Sequence, residues 1–128
     1  MSTDYSKMSD TEIAQKVFFW LSNDFCPNGG LAHINNDGFF FFDNGNVKRK
    51  FDPCNNPVDA WPIIVDNKIS IHHFVCKYEA SSIVFDKKYK DGFFIFSQHS
   101  DVGDISSRAA LRAAMITFLK MQESKNAS

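Results

Sequence analysis

The side chains best suited to chemistry are concentrated in one short segment near the middle of the chain. They are the thiol of Cys54, the carboxamides of Asn55 and Asn56, the carboxylate of Asp59 and the indole of Trp61. Together these groups could orient a small polar ligand with a flat ring, or one anchor side chain of a partner protein. Prolines in the segment restrict its backbone and so reduce the entropy lost on binding. The pattern predicts a ligand- or partner-binding site at these residues.

The same residues also have a purely structural interpretation. Asn55 and Asn56 could satisfy the backbone of a turn, because Asn side chains form hydrogen bonds with nearby backbone groups. Cys54 could be a small buried apolar side chain, and Trp61 could belong to the core. Both interpretations remain open at the level of the sequence.

Cysteine-dependent catalysis is a further possibility for Cys54. A thiolate nucleophile needs a nearby base, and Asp59 with His73 or His99 could complete such a site. The spacing selects no pair, and the sequence contains no P-loop, dinucleotide-binding fingerprint, nucleophile elbow or zinc-protease motif. A protein that is not an enzyme is therefore favoured, with a small cysteine-dependent enzyme as an alternative. No catalytic residue is assigned.

Metal binding is suggested by His72, His73 and Cys76, which lie close together and are donors that Zn²⁺ accepts. On a strand, however, His72 and His73 point to opposite faces and cannot share one tetrahedral site without a bulge. We therefore predict no metal site and no cofactor. Whether these residues do anything beyond packing is left open by the sequence.

Nucleic-acid binding is suggested by Lys48, Arg49 and Lys50, which directly precede Phe51. Such a run could grip a phosphate backbone beside a stacking ring. The alternative is an edge strand that its charges protect from pairing with other chains. The net charge is −1, so no overall field attracts nucleic acid or an anionic membrane. The edge strand is favoured, and weak nucleic-acid binding is kept as an alternative function.

Three helices are predicted around these residues. Ser9 and Glu12 form a capping box, and apolar residues at helical spacing follow it from Asp10 to Ser22. Asn56 can cap a short helix that begins at Pro57, is kinked by Pro62 and ends at Val65. The clearest helix begins after Asp104 or Ser106 and runs through Met121. Leu111, Met115, Phe118 and Gln122 follow one face of this helix, and Ile116 and Leu119 widen that face into an apolar stripe. Arg108, Arg112 and Lys120 fall outside the stripe.

Short strands fill the remainder of the chain. Asp37-Gly38 and Asn44-Gly45 are dipeptides typical of tight hairpin turns. Segments with alternating apolar residues or strong strand propensity flank these and later turns. The predicted strands are Leu31–Asn35, Phe39–Asp43, Val47–Phe51, Lys68–Cys76, Ser82–Asp86 and Gly92–Ser97.

These elements predict an α+β fold. We expect a small antiparallel sheet of five or six strands, covered on one face by the N- and C-terminal helices, with the short central helix at one end. Residues 1–128 should form a single domain, with 1–8 and 123–128 flexible. Fourteen Phe residues indicate a core rich in Phe, with some aromatic surface left for a partner.

The composition also suggests a location. The longest apolar runs are far too short to span a membrane, and the polar N-terminus does not resemble a targeting segment. The three cysteines show no C-x-x-C spacing and are expected to be free thiols in a reducing cytosol. We therefore expect a cytoplasmic protein.

Parts of the chain resemble the phage NinX-like proteins. The most specific part is Phe51–Ile71, with its unusual order of Cys54-Asn-Asn-Pro and Ala60-Trp-Pro. Arg112–Glu123 and the opening Asp4–Asp10 are similar to the same family, whereas Lys77–Ser106 carries no signature of it. The resemblance implies a gene of a temperate phage or prophage, expressed in the bacterial cytoplasm, and no established molecular activity. We therefore expect a phage accessory protein that binds a host protein or a small metabolite, with its oligomeric state open.

Overall fold

The computed structural model describes residues 4–25, 32–35, 37–43 and 47–126, and the side chains of 22–25, 32, 33, 35, 42, 43, 47, 48 and 126 lie outside this description. A 3₁₀ turn at Tyr5–Lys7 precedes the regular elements. In chain order these are α1 (Asp10–Phe25), β1 (Ala32–Asn35), β2 (Gly38–Asp43), β3 (Val47–Lys50), α2 (Pro57–Asp66), β4 (Ser70–His73), β5 (Tyr78–Phe85), β6 (Phe93–His99) and α3 (Ser107–Asn126).

The N-terminal helix starts where the sequence predicts. The N–H of Glu12 donates to the Ser9 hydroxyl at 3.1 Å, which satisfies one of the donors that every helix start leaves free. The helix is longer than predicted, since it continues to Phe25. Ile13, Val17 and Phe18 are buried along one side, so the helix is held to the core by this face.

The first sheet is an antiparallel meander in the order β1-β2-β3. Phe39 and Phe41 on its central strand are buried against Phe18 of α1, with ring centroids 5.1 and 5.0 Å apart respectively. Phe51, which follows β3, adds a further ring 5.9 Å from Phe18. The expected Phe-rich core is therefore present between α1 and this sheet. The predicted Asn44-Gly45 turn lies outside the described residues.

The central helix α2 differs from its prediction at Pro62. Asn56 caps the helix as expected, because its Oδ1 accepts the Val58 N–H at 3.0 Å. Pro62 does not interrupt the helix, however, since one continuous helix runs past it to Asp66, one residue beyond the predicted end. Pro62 removes the bond to the carbonyl of Val58. Val58 is exposed, so water can replace that bond at little cost.

The second sheet is a separate antiparallel meander in the order β4-β5-β6. The α+β class, the six strands of the described chain and the flanking terminal helices are confirmed. The strands nevertheless form two sheets of three rather than one. The reason is α2, which is inserted between β3 and β4 and separates the two meanders along the chain.

The C-terminal helix α3 is more central than its predicted stripe implies. Ser106 caps it, because its hydroxyl accepts the Ala109 N–H at 3.2 Å. The helix contacts α1, α2 and the second sheet, and every residue from Ala113 to Leu119 is buried. Thr117 is satisfied inside this core, since its hydroxyl donates to the Ala113 carbonyl at 2.9 Å. One helix therefore connects the two halves of the fold.

The ends of the described chain contact each other. Tyr5 is buried, and its hydroxyl donates to Glu123 Oε2 at 2.6 Å. Both residues fall in segments that the sequence analysis expects to be flexible. Instead they pack against each other, and α3 continues past Glu123 to Asn126.

That residues 1–128 form a single domain stays a prediction. In the described part of the chain, no helix is both long enough and apolar enough to cross a membrane.

The docking of α3 can be tested at Phe118, which is buried against this core. We expect Phe118→Ala to lower the free energy of unfolding by about 3–5 kcal/mol, through lost burial and the cavity left behind. Phe85→Ala is the matched control, because that ring is 79% exposed and its loss should change stability by less than about 0.5 kcal/mol. Urea denaturation measures both. Equal midpoints for the two variants would show that α3 does not dock by this face.

Candidate functional site

The predicted segment begins with a turn whose polar groups bond to one another. The backbone N–H groups of Asn55 and Asn56 donate to the Asp52 carbonyl at 3.1 and 2.8 Å. The Asp52 N–H donates to Asp59 Oδ2 at 2.9 Å. The Asn55 side chain donates to the Asp52 carboxylate and to Asp10 Oδ2, each at 3.1 Å. Asn55, Asn56 and Asp59 therefore have structural roles here, whatever else they bind.

Asp10 is the anchor of this turn. Its carboxylate accepts two bonds from Arg108, at 2.5 and 2.8 Å, and one from Arg112 Nη1 at 2.7 Å. Arg112 also donates to the carbonyls of Ser6 and Met8. We call Asp10, Asn55, Arg108 and Arg112 the Asp10 cluster. It ties the start of α1 to the turn and to the start of α3.

The electrostatics of the Asp10 cluster favour the ionised carboxylate. Burial alone would raise the pKa of Asp10, but hydrogen bonds from Arg108, Asn55 and Arg112 outweigh it and hold the pKa below its usual range. The Arg112 side chain is only 14% exposed, and Asp10 is the carboxylate that pairs with it. Arg112, which the sequence analysis leaves outside the apolar stripe of α3, is thus nevertheless largely buried.

Cys54 lies inside the fold. It is 0% exposed, and burial together with the charge of Asp10 raises the pKa of its thiol to about 12. Such a thiol stays protonated at neutral pH and is a poor nucleophile. The structural interpretation of Cys54 is therefore supported, and the alternative of an enzyme built on Cys54 is weakened. Cys76 is exposed, and Cys26 lies outside the described residues.

Trp61 is separated from the other predicted residues. It is 64% exposed on α2, so it does not belong to the core. Val58 and Val65 are exposed at helical spacing on either side of it. The predicted site therefore splits into a buried thiol, a bonded polar turn and a solvent-facing apolar stripe on α2.

A cleft of about 710 Å³ lies beside α2 and contains one of the predicted residues, Asp59. We call it the α2 cleft. Its size suits a small molecule. The rest of its lining comes from α2 and its C-terminal cap and from α1, β3 and α3, which the sequence analysis did not bring together: Trp20, Leu21, Arg49, Val58, Pro62, Ile63, Asp66, Asn67, Phe118 and Gln122.

The histidines of β4 lie apart, as strand alternation requires. His73 is opposite Tyr78, with ring centroids 5.1 Å apart, while His72 is opposite Glu79. Cys76 is exposed beyond the strand. Within the described ranges, no group of three or more His, Cys, Asp or Glu side chains could hold a metal ion.

The basic run lies on β3, which pairs only with β2 in the described part of the sheet. Arg49 lies over the Phe41 ring, 5.5 Å from its centroid. Phe51 is buried among core rings and cannot stack on a base. The nucleic-acid alternative therefore loses its stacking partner. The side chain of Lys48 lies outside the described residues.

An apolar surface that the sequence analysis missed covers part of the second sheet. On the face away from α3, Ile83 lies opposite Ile95 and Phe85 lies opposite Phe93. These side chains are 53%, 50%, 79% and 41% exposed. We call them the outer-face patch. Adjacent apolar residues in β5 and β6 indicate apolar side chains on both faces of the strands, but do not show which face stays uncovered.

A second cleft, of about 650 Å³, runs between β6, the end of α3 and the N-terminal 3₁₀ turn. We call it the β6 cleft. Lys120 on its wall donates to the Ser97 carbonyl at 2.7 Å and to Gln98 Oε1 at 2.8 Å. Burial lowers the pKa of Lys120. The sequence gives no spacing signal for this cleft, because its walls are far apart along the chain.

Comparison with known proteins supports the resemblance found in the sequence. A model of the family described as "Bacteriophage P22, NinX" matches residues 4–122. The chain therefore belongs to this phage family. No curated protein matches the chain, and no solved structure matches it.

The Asp10 cluster gives a prediction for stability against pH. Because the folded-state pKa of Asp10 is lowered, its contribution is present above its unfolded pKa of about 3.9 and is lost as the pH falls further. We expect Asp10→Asn to cost about 1–3 kcal/mol at pH 7, since it leaves Arg112 poorly paired. The difference from the wild type should shrink at pH 3.

Urea denaturation at the two pH values measures this effect. Asp101→Asn is the control, because Asp101 is exposed and should change stability little at either pH. A gap between the wild type and Asp10→Asn that is the same at both pH values would contradict the ionic origin of the effect.

Proposed function

We propose that this phage protein is a non-enzymatic binding module that docks a host protein on the outer face of its second sheet. The observation that carries the proposal is the outer-face patch. Two cross-strand pairs of large apolar side chains face solvent there. The side chains together expose on the order of 400 Å², taking about 200 Å² for each whole side chain. Patches of this size are often functional.

The surroundings of the patch also favour a protein partner. On the same face of the sheet, the cross-strand pair next to Ile83 and Ile95 is formed by Ser81 and Ser97. Beyond them, Glu79 Oε2 lies 2.9 Å from His99 Nε2. An apolar centre bordered by polar side chains is the usual arrangement of a protein–protein interface. A catalytic role draws no comparable support, because the thiol of Cys54 is buried and protonated.

Site-specific photo-crosslinking in infected cells tests the docking surface. A photoreactive phenylalanine analogue would replace Phe85, Trp61 or Val102. Val102 is the matched control. Its side chain is 77% exposed, compared with 79% for Phe85, and it lies outside the patch. We expect a single host protein, identified by mass spectrometry, to be captured from position 85 alone.

The other outcomes discriminate among surfaces. Capture from position 61 but not 85 would move the interface to the exposed stripe of α2, and so favour the Cys54–Trp61 segment as a recognition surface. Equal capture from all three positions would show non-specific contact and contradict the proposal. With the captured host protein in hand, Phe85→Ser should weaken its binding by roughly tenfold or more, as expected for the loss of a central apolar contact.

A second candidate function is the binding of a small metabolite in the α2 cleft. The cleft combines the Asp59 carboxylate, the Trp20 indole and the Arg49 guanidinium in about 710 Å³. Such a set suits a ligand with a flat ring and a polar group. Asp59 links this candidate to the predicted segment, while the other polar residues of the turn lie elsewhere.

Native mass spectrometry of protein purified from infected cells tests the α2 cleft. We expect the wild type to retain a bound small molecule and Asp59→Asn to lose it. The amide oxygen of Asn can still accept the Asp52 N–H, so the free energy of unfolding should change by less than about 1 kcal/mol. Asp66→Asn, on the wall of the same cleft, is the control for loss of one charge. Equal retention by wild type and Asp59→Asn would count against this site.

A further inference from the structure

The position of Lys120 in the β6 cleft is fixed by the free side of β6. The hydrogen bond from Asp86 N–H to the Gly92 carbonyl marks the register of β5 and β6. Hydrogen-bonded positions alternate in an antiparallel pair, so even-numbered residues of β6 direct their backbone groups to β5 and odd-numbered residues direct theirs away. The Ser97 carbonyl is one of these outward groups, and it accepts a hydrogen bond from Lys120 at 2.7 Å.

The rest of the outward side is unevenly occupied. The His99 carbonyl accepts from the Gln98 side chain at 3.3 Å. In the part of the chain that the structure describes, the outward backbone groups of Phe93 and Ile95 have no hydrogen-bond partner. Lys120 and Gln98 therefore cover only one end of this edge.

Lys120 has one more hydrogen-bond donor than it has acceptors. An ammonium carries three N–H donors, whereas the acceptors of Lys120 are the Ser97 carbonyl and Gln98 Oε1. Among the described residues no carboxylate forms an ion pair with it. Burial lowers the pKa of Lys120 because it outweighs the attraction of the Asp4 carboxylate. A further acceptor in the cleft would therefore stabilise the charged form.

The strand side of the cleft is aromatic. The rings of Phe94 and Phe96 lie with their centroids 4.8 Å apart, and Tyr89 packs on Phe94 at 5.2 Å. Phe96 is buried, whereas Phe94 is 47% exposed and lines the cleft. Phe94 thus offers a ring, held in place by its neighbours, on which a flat ligand ring can pack.

The other charged groups of the lining favour a neutral ligand. The Asp4 carboxylate accepts from the N–H and the hydroxyl of Ser6, and Glu123 Oε2 accepts from the Tyr5 hydroxyl. Both carboxylates therefore already have hydrogen-bond donors, and they would repel an anionic ligand. The ammonium of Lys120 would repel a cationic one. The group that fits best beside Lys120 is an uncharged acceptor.

We infer that the β6 cleft binds a small neutral molecule that has a flat aromatic ring and a carbonyl oxygen. The carbonyl oxygen accepts the third N–H of Lys120, and the ring packs on Phe94. The volume of about 650 Å³ is in the range of small-molecule sites. The site goes beyond the proposed function, since it shares no residue with the α2 cleft and its aromatic wall lies on the opposite face of β6 from the outer-face patch.

Fluorine NMR with matched probes tests the class of ligand. 4-Fluorobenzamide, 4-fluorobenzoate and 4-fluorobenzylammonium share one ring and differ in the charge of the attached group. We expect 4-fluorobenzamide to bind saturably with a Kd of roughly 1–10 mM, as for a good ligand of this size. Each charged probe should bind at least roughly threefold more weakly. No saturable binding of the amide, or a charged probe that binds as tightly, would overturn the inference.

Lys120→Met tests the hydrogen bond to the carbonyl oxygen. It removes the ammonium and keeps an unbranched side chain. We expect 4-fluorobenzamide to bind at least roughly fivefold more weakly, because a hydrogen bond from a charged donor is lost. The binding of 4-fluorobenzylammonium should stay equal or improve, because the repelling charge has gone. A purely structural role of Lys120 would weaken both probes alike, and that result would overturn the inference. Lys16→Met, at an exposed position of α1, controls for the loss of one charge.

Phe94→Ala tests the aromatic wall. We expect it to weaken the binding of 4-fluorobenzamide by roughly fivefold or more through the lost ring contact. Phe74→Ala is the matched control, because Phe74 is 45% exposed, compared with 47% for Phe94, and lies outside the cleft. Equal affinities of the two variants would overturn the inference. If circular dichroism shows Lys120→Met to be unfolded, the probe series and Phe94→Ala decide the question.

Two further variants separate this site from the surfaces of the proposed function. Asp59→Asn changes the α2 cleft, and Phe85→Ser changes the outer-face patch. We expect both variants to bind 4-fluorobenzamide like the wild type. Loss of binding in either variant would place the probe on that other surface and overturn the β6 site. Capture of a host protein from position 85 does not depend on the probe, so the proposed function and this inference can each fail alone.

Discussion

The ionised carboxylate of Asp10 is the interaction on which the arrangement of the helices depends. Asp10 is the first residue of α1, while its partners come from the turn before α2 and from the first two turns of α3. No stretch of local sequence holds these three segments together. Arg112 extends the connection by donating to backbone carbonyls before α1. Because the charges of Asp10 and Arg112 are largely buried and are tolerated there only while paired, the cluster favours this mutual position of the segments.

This constraint explains why the most chemically varied segment of the chain is not a ready-made catalytic site. Asn55 is used to bond Asp10, and Asp59 is used to bond the backbone of Asp52. Cys54 is fully buried, and the nearby negative charge of Asp10 adds to burial in raising the pKa of its thiol and keeping it protonated. What the segment offers a ligand is what remains: the face of Asp59 in the α2 cleft and the exposed ring of Trp61.

Local signals in the sequence predicted the helices and strands. How these elements are arranged depends on contacts between residues far apart in the sequence, which local signals cannot predict. The capping box at Ser9, the Asn56 cap and the paired apolar strands mark the elements because each depends on residues close in sequence. Pro62 does not interrupt α2, since its lost bond falls where water can substitute. The division into two sheets, the burial of Arg112 and the two clefts depend on contacts between distant residues. Of the five predicted site residues only Asp59 lies in the α2 cleft, and nothing in the sequence placed Trp20 or Arg49 beside it.

The second sheet illustrates how a surface can be protected from indiscriminate association and still be open to a partner. Natural sheets protect their edges, since unpaired backbone groups attract any extended chain. Here Lys120 and Gln98 occupy carbonyls at one end of β6, while Phe93 and Ile95 at the other end keep theirs open. The open end is also the end where the outer-face patch lies.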